Sequence, residues 1–432
     1  MKAKGCFPIT CETILVLTLG LLLLLSQSCS KRPVEPEPEL QLQGDPEPEP
    51  EPEPVPPDRK AGSMPIVVKY SQPSNTLSDD DLVEIATRYR AVSDAKTVFT
   101  AAQMARLREV NPEITILKYL NFAVVYGDTS IQRVLDEHPE WILRDENGNP
   151  VPTHGPETGM MMDPSSEGWR GYLADKATQF VTQKGYDGIM GDCVKMVNEL
   201  DPDFTGINTR TGQPYTTQEY RDDQYQIVLS VKEALGPDKL LVLNNIQRGS
   251  GYFEEEPYRF LETSDGVVAE GFRGLPRWPL DRYLTEEAWI DNVEMMLDVQ
   301  SRQKAIVAVI KFDKDVVNSQ ERLRDYELFM FTTFLMGMGD SCYYTAKIHD
   351  PEDPYSDISL YFDHWEIDLG EPLDPYESNG SHYQREFENA RVLVNPTESP
   401  ATVYLGGDFR TLEGETVSEV TLDAHTGTIL LK

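Results

Sequence analysis

Eight short apolar runs, almost every pair separated by a helix-length segment, constrain the fold of this chain more than any other feature. Near-continuous apolar strands that alternate with helices are typical of a parallel sheet covered by helices. Eight such units predict an α/β fold with a closed (β/α)8 TIM barrel, and a doubly wound open sheet is the alternative. The runs occupy residues 66–71, 91–93, 114–122, 188–192, 239–245, 265–272, 305–312 and 341–346.

The segments between the runs carry helical spacing and capping residues. Apolar residues recur on one face over Thr217–Ala234, Glu286–Gln300 and Ser319–Leu335, which predicts helices there. A further helix is predicted to begin at Asp163 and Pro164, with Asp163 as the cap. Trp169 and Trp289 fall on apolar helix stripes, so we expect both rings in the core.

The chain changes character near residue 376. From there to residue 432 the sequence reads as short strands separated by Asn-Pro, Gly-Gly and His-Thr-Gly turns. This pattern predicts a small antiparallel C-terminal β-domain after a barrel over 63–375. Its apolar content suggests that it docks on the barrel.

The N-terminus has the features of an export signal. Lys2 and Lys4 precede the apolar run Ile14–Leu25, which is short for a membrane span. The sequence Leu-Ser-Gln-Ser-Cys around Cys29 resembles the bacterial lipobox. We therefore expect a signal peptide over 1–29, lipidation of Cys29 and a lipoprotein on the cell envelope, at the outer membrane or cell surface. An uncleaved anchor and ordinary secretion are the alternatives.

Residues 30–62 alternate proline and glutamate and predict an extended linker. The whole chain has 73 acidic against 39 basic residues, a formal charge of −34. Such a field repels nucleic acids and anionic lipid headgroups, so neither is an expected partner. With 39% hydrophobic residues, the remainder can still bury a core.

Polar residues follow the apolar strands at the end where barrel enzymes place their sites. Asp192 ends the fourth run and Glu270 the sixth, so they are the candidate catalytic acids, although a single such acid is as often a helix cap or a loop charge. Aromatic rings can cover a sugar face and amides can bond its hydroxyls. The candidate substrate-binding residues are Tyr70, Tyr119, Asn121, Asn244, Asn245, Arg273, Trp278, Lys311 and Tyr344, and Trp141 is a further aromatic near the expected mouth.

Several motifs, in order along the chain, carry a family resemblance. They are GYDGIMGDC, HPEWILRDENGNPV, MDPSSEGWRGY, DGVVAEGF, WEIDLGEP and REFENARVLVNPT. Together they resemble the bacterial proteins called hypothetical glycosyl hydrolase family 15, with a distant similarity to endo-polygalactosaminidase-like barrels, over about Met64–Lys432. The resemblance implies a barrel, a C-terminal β-domain and hydrolysis of glycosidic bonds, with Asp192 and Glu270 as the matching acids. The chain departs from the family pattern at Met190, Gly191 and Cys193.

Glycosidic hydrolysis uses one carboxylic acid to protonate the leaving oxygen and one carboxylate to attack or to activate water. Asp192 is short and flanked by glycine, which favours the rigid nucleophile. Glu270 has apolar neighbours at Val267 and Val268 that should raise its pKa, which favours the general acid. Acids on the fourth and sixth strands resemble those of retaining enzymes. The predicted substrate is an extracellular or cell-envelope polysaccharide or oligosaccharide.

Other chemistries lack their motifs. No zinc-type histidine spacing, Gly-x-Ser-x-Gly elbow, Walker loop or dinucleotide fingerprint occurs, so we predict no metal and no cofactor. Residues 350–359 are acidic enough for calcium but read better as a solvated loop. Cys193 and Cys342 form either a disulfide or two free thiols. The functional alternatives are a non-catalytic carbohydrate-binding barrel protein of the cell surface and another carbohydrate enzyme, such as a lyase or a deacetylase.

Overall fold

A computed structural model describes most of the chain after the linker. Residues 1–67, which include Cys29 and the linker, lie outside the described residues, as do His154 and residues 351–357. The side chains of residues 68–70, 245 and 255 are also outside the description. The substrate-binding roles of Tyr70 and Asn245 therefore stay predictions. The described residues are 68–70, 77–94, 99–153, 159–194, 204–255, 257–350 and 358–432.

The predicted strands are confirmed as eight parallel strands in sequential order; the sheet also has a short ninth strand, Ile358–Ser359, which is antiparallel to the eighth. This order differs from a doubly wound sheet, in which the strand order reverses. The curled sheet brings β1 into contact with β8, but the described residues contain no pairing between these two strands, so the closed ring stays a prediction. The strands are β1 Val68–Tyr70, β2 Ala91–Asp94, β3 Thr115–Asn121, β4 Gly188–Asp192, β5 Leu240–Ile246, β6 Gly266–Ala269, β7 Ala305–Asp313 and β8 Cys342–His349.

Helices connect these strands as the capping residues predict. Ser78, Thr100, Thr216 and Ser319 each accept a hydrogen bond from a backbone N–H of the first helical turn. No helix among the described residues has the length and apolar character needed to cross a membrane. The helices are α1 Asp79–Arg88, α2 Ala101–Val110, α3 Asp128–Glu137, α4 Glu167–Gln179, α5 Thr217–Leu235, α6 Gly249–Glu255, α7 Tyr258–Thr263, α8 Glu286–Ser301 and α9 Gln320–Gly337.

The predicted start of α4 is wrong by three residues. Ser166 caps the helix, and Asp163 is buried before it. The carboxylate of Asp163 instead accepts hydrogen bonds from the side chains of Ser165, Thr209 and Tyr215, because it joins the loop before α4 to the loop before α5. Trp169 on α4 and Trp289 on α8 lie in the core as predicted.

Alternation along the strands separates the residues inside the curled sheet from those facing the helices. A distinct cluster of apolar side chains fills the interior, and residues two positions further along a strand share its face. The polar residues near the carboxyl ends of β3 to β8 continue this inner face toward the mouth. The interior cluster consists of Ala91, Leu117, Met190, Val242, Val268, Val307 and Val309, with Tyr343 packed against it.

The C-terminal residues form the predicted antiparallel sheet. It packs against α9, where the Arg385 guanidinium donates hydrogen bonds to the carbonyl oxygens of Leu335, Met336 and Met338. The domain boundary near residue 375 stays a prediction. The sheet order is β9-β10-β11-β14-β12-β13, with β9 Glu377–Ser378, β10 Tyr383–Glu386, β11 Ala390–Asn395, β12 Ala401–Arg410, β13 Thr416–Leu422 and β14 Thr426–Leu431.

Candidate active site

Asp192 ends β4 with its carboxylate held by three donors. The Tyr119 hydroxyl donates to Oδ2 at 2.5 Å, and the Asn244 amide and the Cys193 backbone N–H donate to Oδ1 at 2.9 and 2.7 Å. Gly191 is required before it, because a β-carbon there would lie 2.7 Å from the Phe122 ring. The hydrogen bonds and the packed strand fix the orientation of this carboxylate.

Asn244, on β5, contacts both candidate acids. Its Nδ2 atom lies 2.9 Å from Asp192 Oδ1 and 3.4 Å from Glu270 Oε2. These two oxygen atoms can therefore be no farther apart than the sum of the two distances, about 6.3 Å. The fold brings the two predicted carboxylates together at one end of the sheet.

Glu270 follows β6 and faces two lysines. Nζ of Lys311 lies 3.5 Å and Nζ of Lys347 lies 3.7 Å from the same oxygen atom, Glu270 Oε1. Charge-assisted hydrogen bonds of this kind are usually about 2.7–2.9 Å long, so the carboxylate is surrounded by cations without being tightly bound. The contacts of Glu270 are looser than those of Asp192.

The two carboxyl groups have pKa values shifted in opposite directions. Burial, and then the charge of Glu270, raise the pKa of Asp192, although its three donors oppose the shift. Burial also acts to raise the pKa of Glu270, but Lys311, Lys347 and Asn244 outweigh it and lower that pKa to about 2. The expectation that apolar neighbours raise the pKa of Glu270 is therefore wrong, because two ammonium groups reach its carboxylate.

Asn121 and Cys193 lie beside this pair. The Asn121 amide nitrogen lies 3.3 Å from the Tyr119 hydroxyl and 3.2 Å from Cys193 Sγ, and its oxygen accepts backbone N–H groups of the turn after β3. Cys193 has φ of 59°, a left-handed conformation uncommon outside glycine. Strained backbone of this kind clusters at functional sites.

Two predicted substrate-binding residues lie elsewhere. Arg273 is fully buried, and its guanidinium donates to four backbone carbonyl groups, including those of Lys311 and Trp278, while it stacks on Phe312. Tyr344 is also fully buried and donates to Glu327 of α9, since it points to the helix side of β8. Both side chains support the fold, so the prediction that they bind substrate is wrong.

The aromatic candidates differ in exposure. Trp278 is partly exposed, with the Arg282 guanidinium 4.1 Å above its ring, so its predicted contact with a sugar stays a prediction. Trp141 is only 9% exposed because His138 stacks on its ring at 3.7 Å. It lines a cavity of about 450 Å³ between α3 and α4 that also reaches Asn121, at the edge of the site.

Sequence reasoning missed Lys347. It lies on the inner face of β8, four residues after Tyr343, and is in register with Lys311 on β7. Side chains alternate between the two faces of a strand, so residues 343 and 347 share the inner face of β8 and residue 344 does not. This alternation could have identified Lys347 as a site residue and excluded Tyr344.

Cys193 and Cys342 are both free thiols, and burial raises the pKa of Cys342 to about 12. Within the described ranges, no three His, Cys, Asp or Glu side chains are grouped as a metal site would require.

Carboxylates paired at strand ends define the kind of site that acid–base hydrolysis uses. The sequence matches hypothetical glycosyl hydrolase family 15 over residues 108–391, about two thirds of the chain, and the protein belongs to that family. The family resemblance carried by the motifs is therefore confirmed, and membership of this family supports a glycosidase. A comparison with curated protein sequences gives no match.

Similar solved structures include three carbohydrate-active enzymes. A maltogenic α-amylase of Thermotoga neapolitana is 14% identical, with 82% of this chain and 93% of that chain covered and a TM-score of 0.49. A family 36 α-galactosidase of Geobacillus stearothermophilus is 11% identical, with 85% and 55% covered and a TM-score of 0.44. An α-amylase of Malbranchea cinnamomea is 10% identical, with 82% and 88% covered and a TM-score of 0.45.

Proposed function

We propose that this protein hydrolyses O-glycosidic bonds of an extracellular or cell-envelope polysaccharide, with Asp192 and Glu270 as its two catalytic carboxylates. The observation that carries the proposal is the Asn244 amide, which lies within 2.9 and 3.4 Å of one oxygen atom of each acid. A single bridging side chain holds both groups at the mouth of the curled sheet, which we take to be a closed (β/α)8 barrel.

The roles follow from how the two acids are held. Asp192 is the nucleophile, because three donors fix the position and orientation of its carboxylate. Glu270 is the proton donor, because its longer side chain is loosely held and can reach the leaving oxygen. The lysines keep Glu270 ionised, so it must take up its proton after those ammonium groups are drawn away.

The stereochemical outcome proposed is retention. Carboxyl groups of retaining glycosidases are about 5–5.5 Å apart, and those of inverting enzymes about 6.5–9.5 Å. The upper bound of about 6.3 Å between Asp192 Oδ1 and Glu270 Oε2 applies to one oxygen atom of each group and includes the retaining separation. Product anomers followed by NMR during hydrolysis test this proposal.

The location proposed is the bacterial cell envelope, with Cys29 lipidated and residues 30–62 spacing the enzyme from the membrane. The lipobox-like sequence supports it. Metabolic labelling with a fatty acid should mark the wild-type protein and leave Cys29→Ala unmarked. An unlabelled wild-type protein would reject the lipid anchor.

Release of reducing ends from a panel of neutral and acidic polysaccharides tests the activity. We expect cleavage of at least one polymer by the wild-type protein and a loss of roughly 10³-fold or more in Asp192→Asn, with binding retained. Retention of a polymer on the wild-type protein without any cleavage would favour the carbohydrate-binding alternative.

A further inference from the structure

Lys311 and Lys347 form a pair of cations inside the curled sheet. They are directly in register on the neighbouring strands β7 and β8, and both continue the inner face toward the mouth. Their side chains are only 18% and 6% exposed. Like charges directly opposite each other on adjacent strands repel, and burial adds a desolvation cost, so this arrangement requires an anion beside it.

One anion beside the lysines is Glu270, a proposed catalytic carboxylate. Both ammonium nitrogens approach Glu270 Oε1, but at 3.5 and 3.7 Å, well beyond the usual charge-assisted distance of about 2.7–2.9 Å. A more closely fitting anion could therefore make shorter contacts to the lysine pair than Glu270 does. The same contacts hold Glu270 in the form that cannot donate a proton.

We propose that the lysine pair, Lys311 and Lys347, is the subsite for an acidic sugar, so that the substrate is an anionic glycan whose carboxylate sits between the two ammonium groups. This inference rests on the proposed glycosidase function and names its substrate class. A uronic acid bound there draws the lysines from Glu270, which then takes up a proton and can protonate the leaving oxygen. A neutral glycan leaves Glu270 paired and ionised.

The neighbouring charges limit where the acidic group can bind. Beyond the lysine pair, β7 and β8 end in Asp313 and His349, which are also in register, so a carboxylate near the rim meets Asp313 first. The carboxylate of the sugar is therefore strongly attracted only at the deeper position, between the two lysine ammonium groups. The chain's overall charge of −34 opposes long-range attraction, so the selectivity should arise in the bound complex.

Binding of matched monosaccharides tests the subsite. Calorimetric titration of the full-length protein with glucuronate and galacturonate, against glucose and galactose, should show at least about tenfold tighter binding of the acids. Galactose 6-sulfate distinguishes a carboxylate from another anionic group at the same position. Equal affinity for acidic and neutral sugars would overturn the proposal. Tighter binding of the sulfate alone would also overturn it, because the subsite would then select a sulfated sugar and not a uronate.

Variants locate the preference. Lys311→Met and Lys347→Met should each reduce the preference for uronates over neutral sugars at least fivefold. Lys314→Met is the matched control. Lys314 lies just after β7 and pairs with Asp350, so this variant should keep the full preference for uronates. An unchanged preference in both inner variants would overturn the assignment. Circular dichroism confirms folding, and the wild-type titration tests the subsite if a variant unfolds.

The experiments distinguish failure of the hydrolase proposal from failure of the acidic-sugar subsite. If no polysaccharide in the panel is cleaved while uronates still bind preferentially, the hydrolase proposal fails and the acidic-sugar site stands. If neutral polymers are cleaved and uronates bind no better than neutral sugars, only the subsite is rejected.

Discussion

The Tyr119 hydroxyl donates a hydrogen bond to Oδ2 of Asp192 across 2.5 Å, between the ends of the neighbouring strands β3 and β4. Burial, followed by the charge of Asp192, raises the pKa of Tyr119 well above its usual value, so the phenol stays protonated as a donor. In return it lowers the pKa of Asp192, against the upward effect of burial. The Tyr119 hydroxyl therefore opposes, without reversing, the rise in the pKa of the proposed nucleophile.

Tyr119→Phe should shift the acidic limb of the pH profile. Without this donor the pKa of Asp192 rises further, so the acidic limb of kcat/KM moves to higher pH and kcat at neutral pH falls about tenfold. Tyr225→Phe is the control, since that hydroxyl contacts Thr263 away from the site. An acidic limb that does not move would separate Tyr119 from the ionisation of Asp192.

The leaving group should distinguish the roles of the two acids. With aryl glycosides of the sugar found by the panel, Asp192→Asn should slow every substrate by roughly 10³-fold or more. Glu270→Gln should slow substrates with poor leaving groups far more than activated ones, because the latter need no proton. The opposite pattern would exchange the roles, as the directions of the two pKa shifts by themselves would suggest.

Glu270 should also contribute to stability in a pH-dependent way. Its pKa is lowered from 4.5 to about 2 in the folded protein, so its contribution is complete above pH 4.5 and is lost as the pH falls toward 2. Glu270→Gln should therefore be less stable than the wild type by about 3 kcal/mol more at pH 6 than near pH 2. Denaturant unfolding across this range measures the difference, and a pH-independent difference would contradict it.

Arg273→Met should destabilise the fold by roughly 2–4 kcal/mol, because four carbonyl contacts of a buried guanidinium are lost. Arg277→Met, at an exposed position in the same loop, should leave the unfolding midpoint nearly unchanged. A substrate-binding role would instead raise KM without lowering stability, and that result would restore the original interpretation of Arg273.

The contact between the C-terminal sheet and α9 depends on Gly427. A β-carbon at this position would clash with Oγ1 of Thr332, so Gly427→Ala should lower the melting temperature and promote aggregation. Thr332→Ala in the same chain should restore part of the loss. Gly407→Ala, where nothing lies near the added carbon, is the control. Equal melting temperatures for the two alanine variants would mean that this contact contributes little.

The sequence by itself determined the α/β class, the eight strands in order and the C-terminal antiparallel sheet. These follow from local patterns: continuous apolar runs such as Ile306–Ile310, caps such as Ser319, and turn residues such as Asn395 and Pro396. The same patterns identified Asp192 and Glu270, since each carboxylate ends an apolar strand. Such features depend on residues close together in the chain, which is why a single sequence contains them.

Only the tertiary structure decided which side chains meet and how they are charged. Tyr343 and Tyr344 are neighbours in sequence, yet they face opposite sides of β8, and Arg273 turns away from the site to bind backbone carbonyls. The pKa of Glu270 depends on lysines 41 and 77 residues away along the chain. Electrostatic energies depend on distance through space, and the curling of the sheet sets that distance.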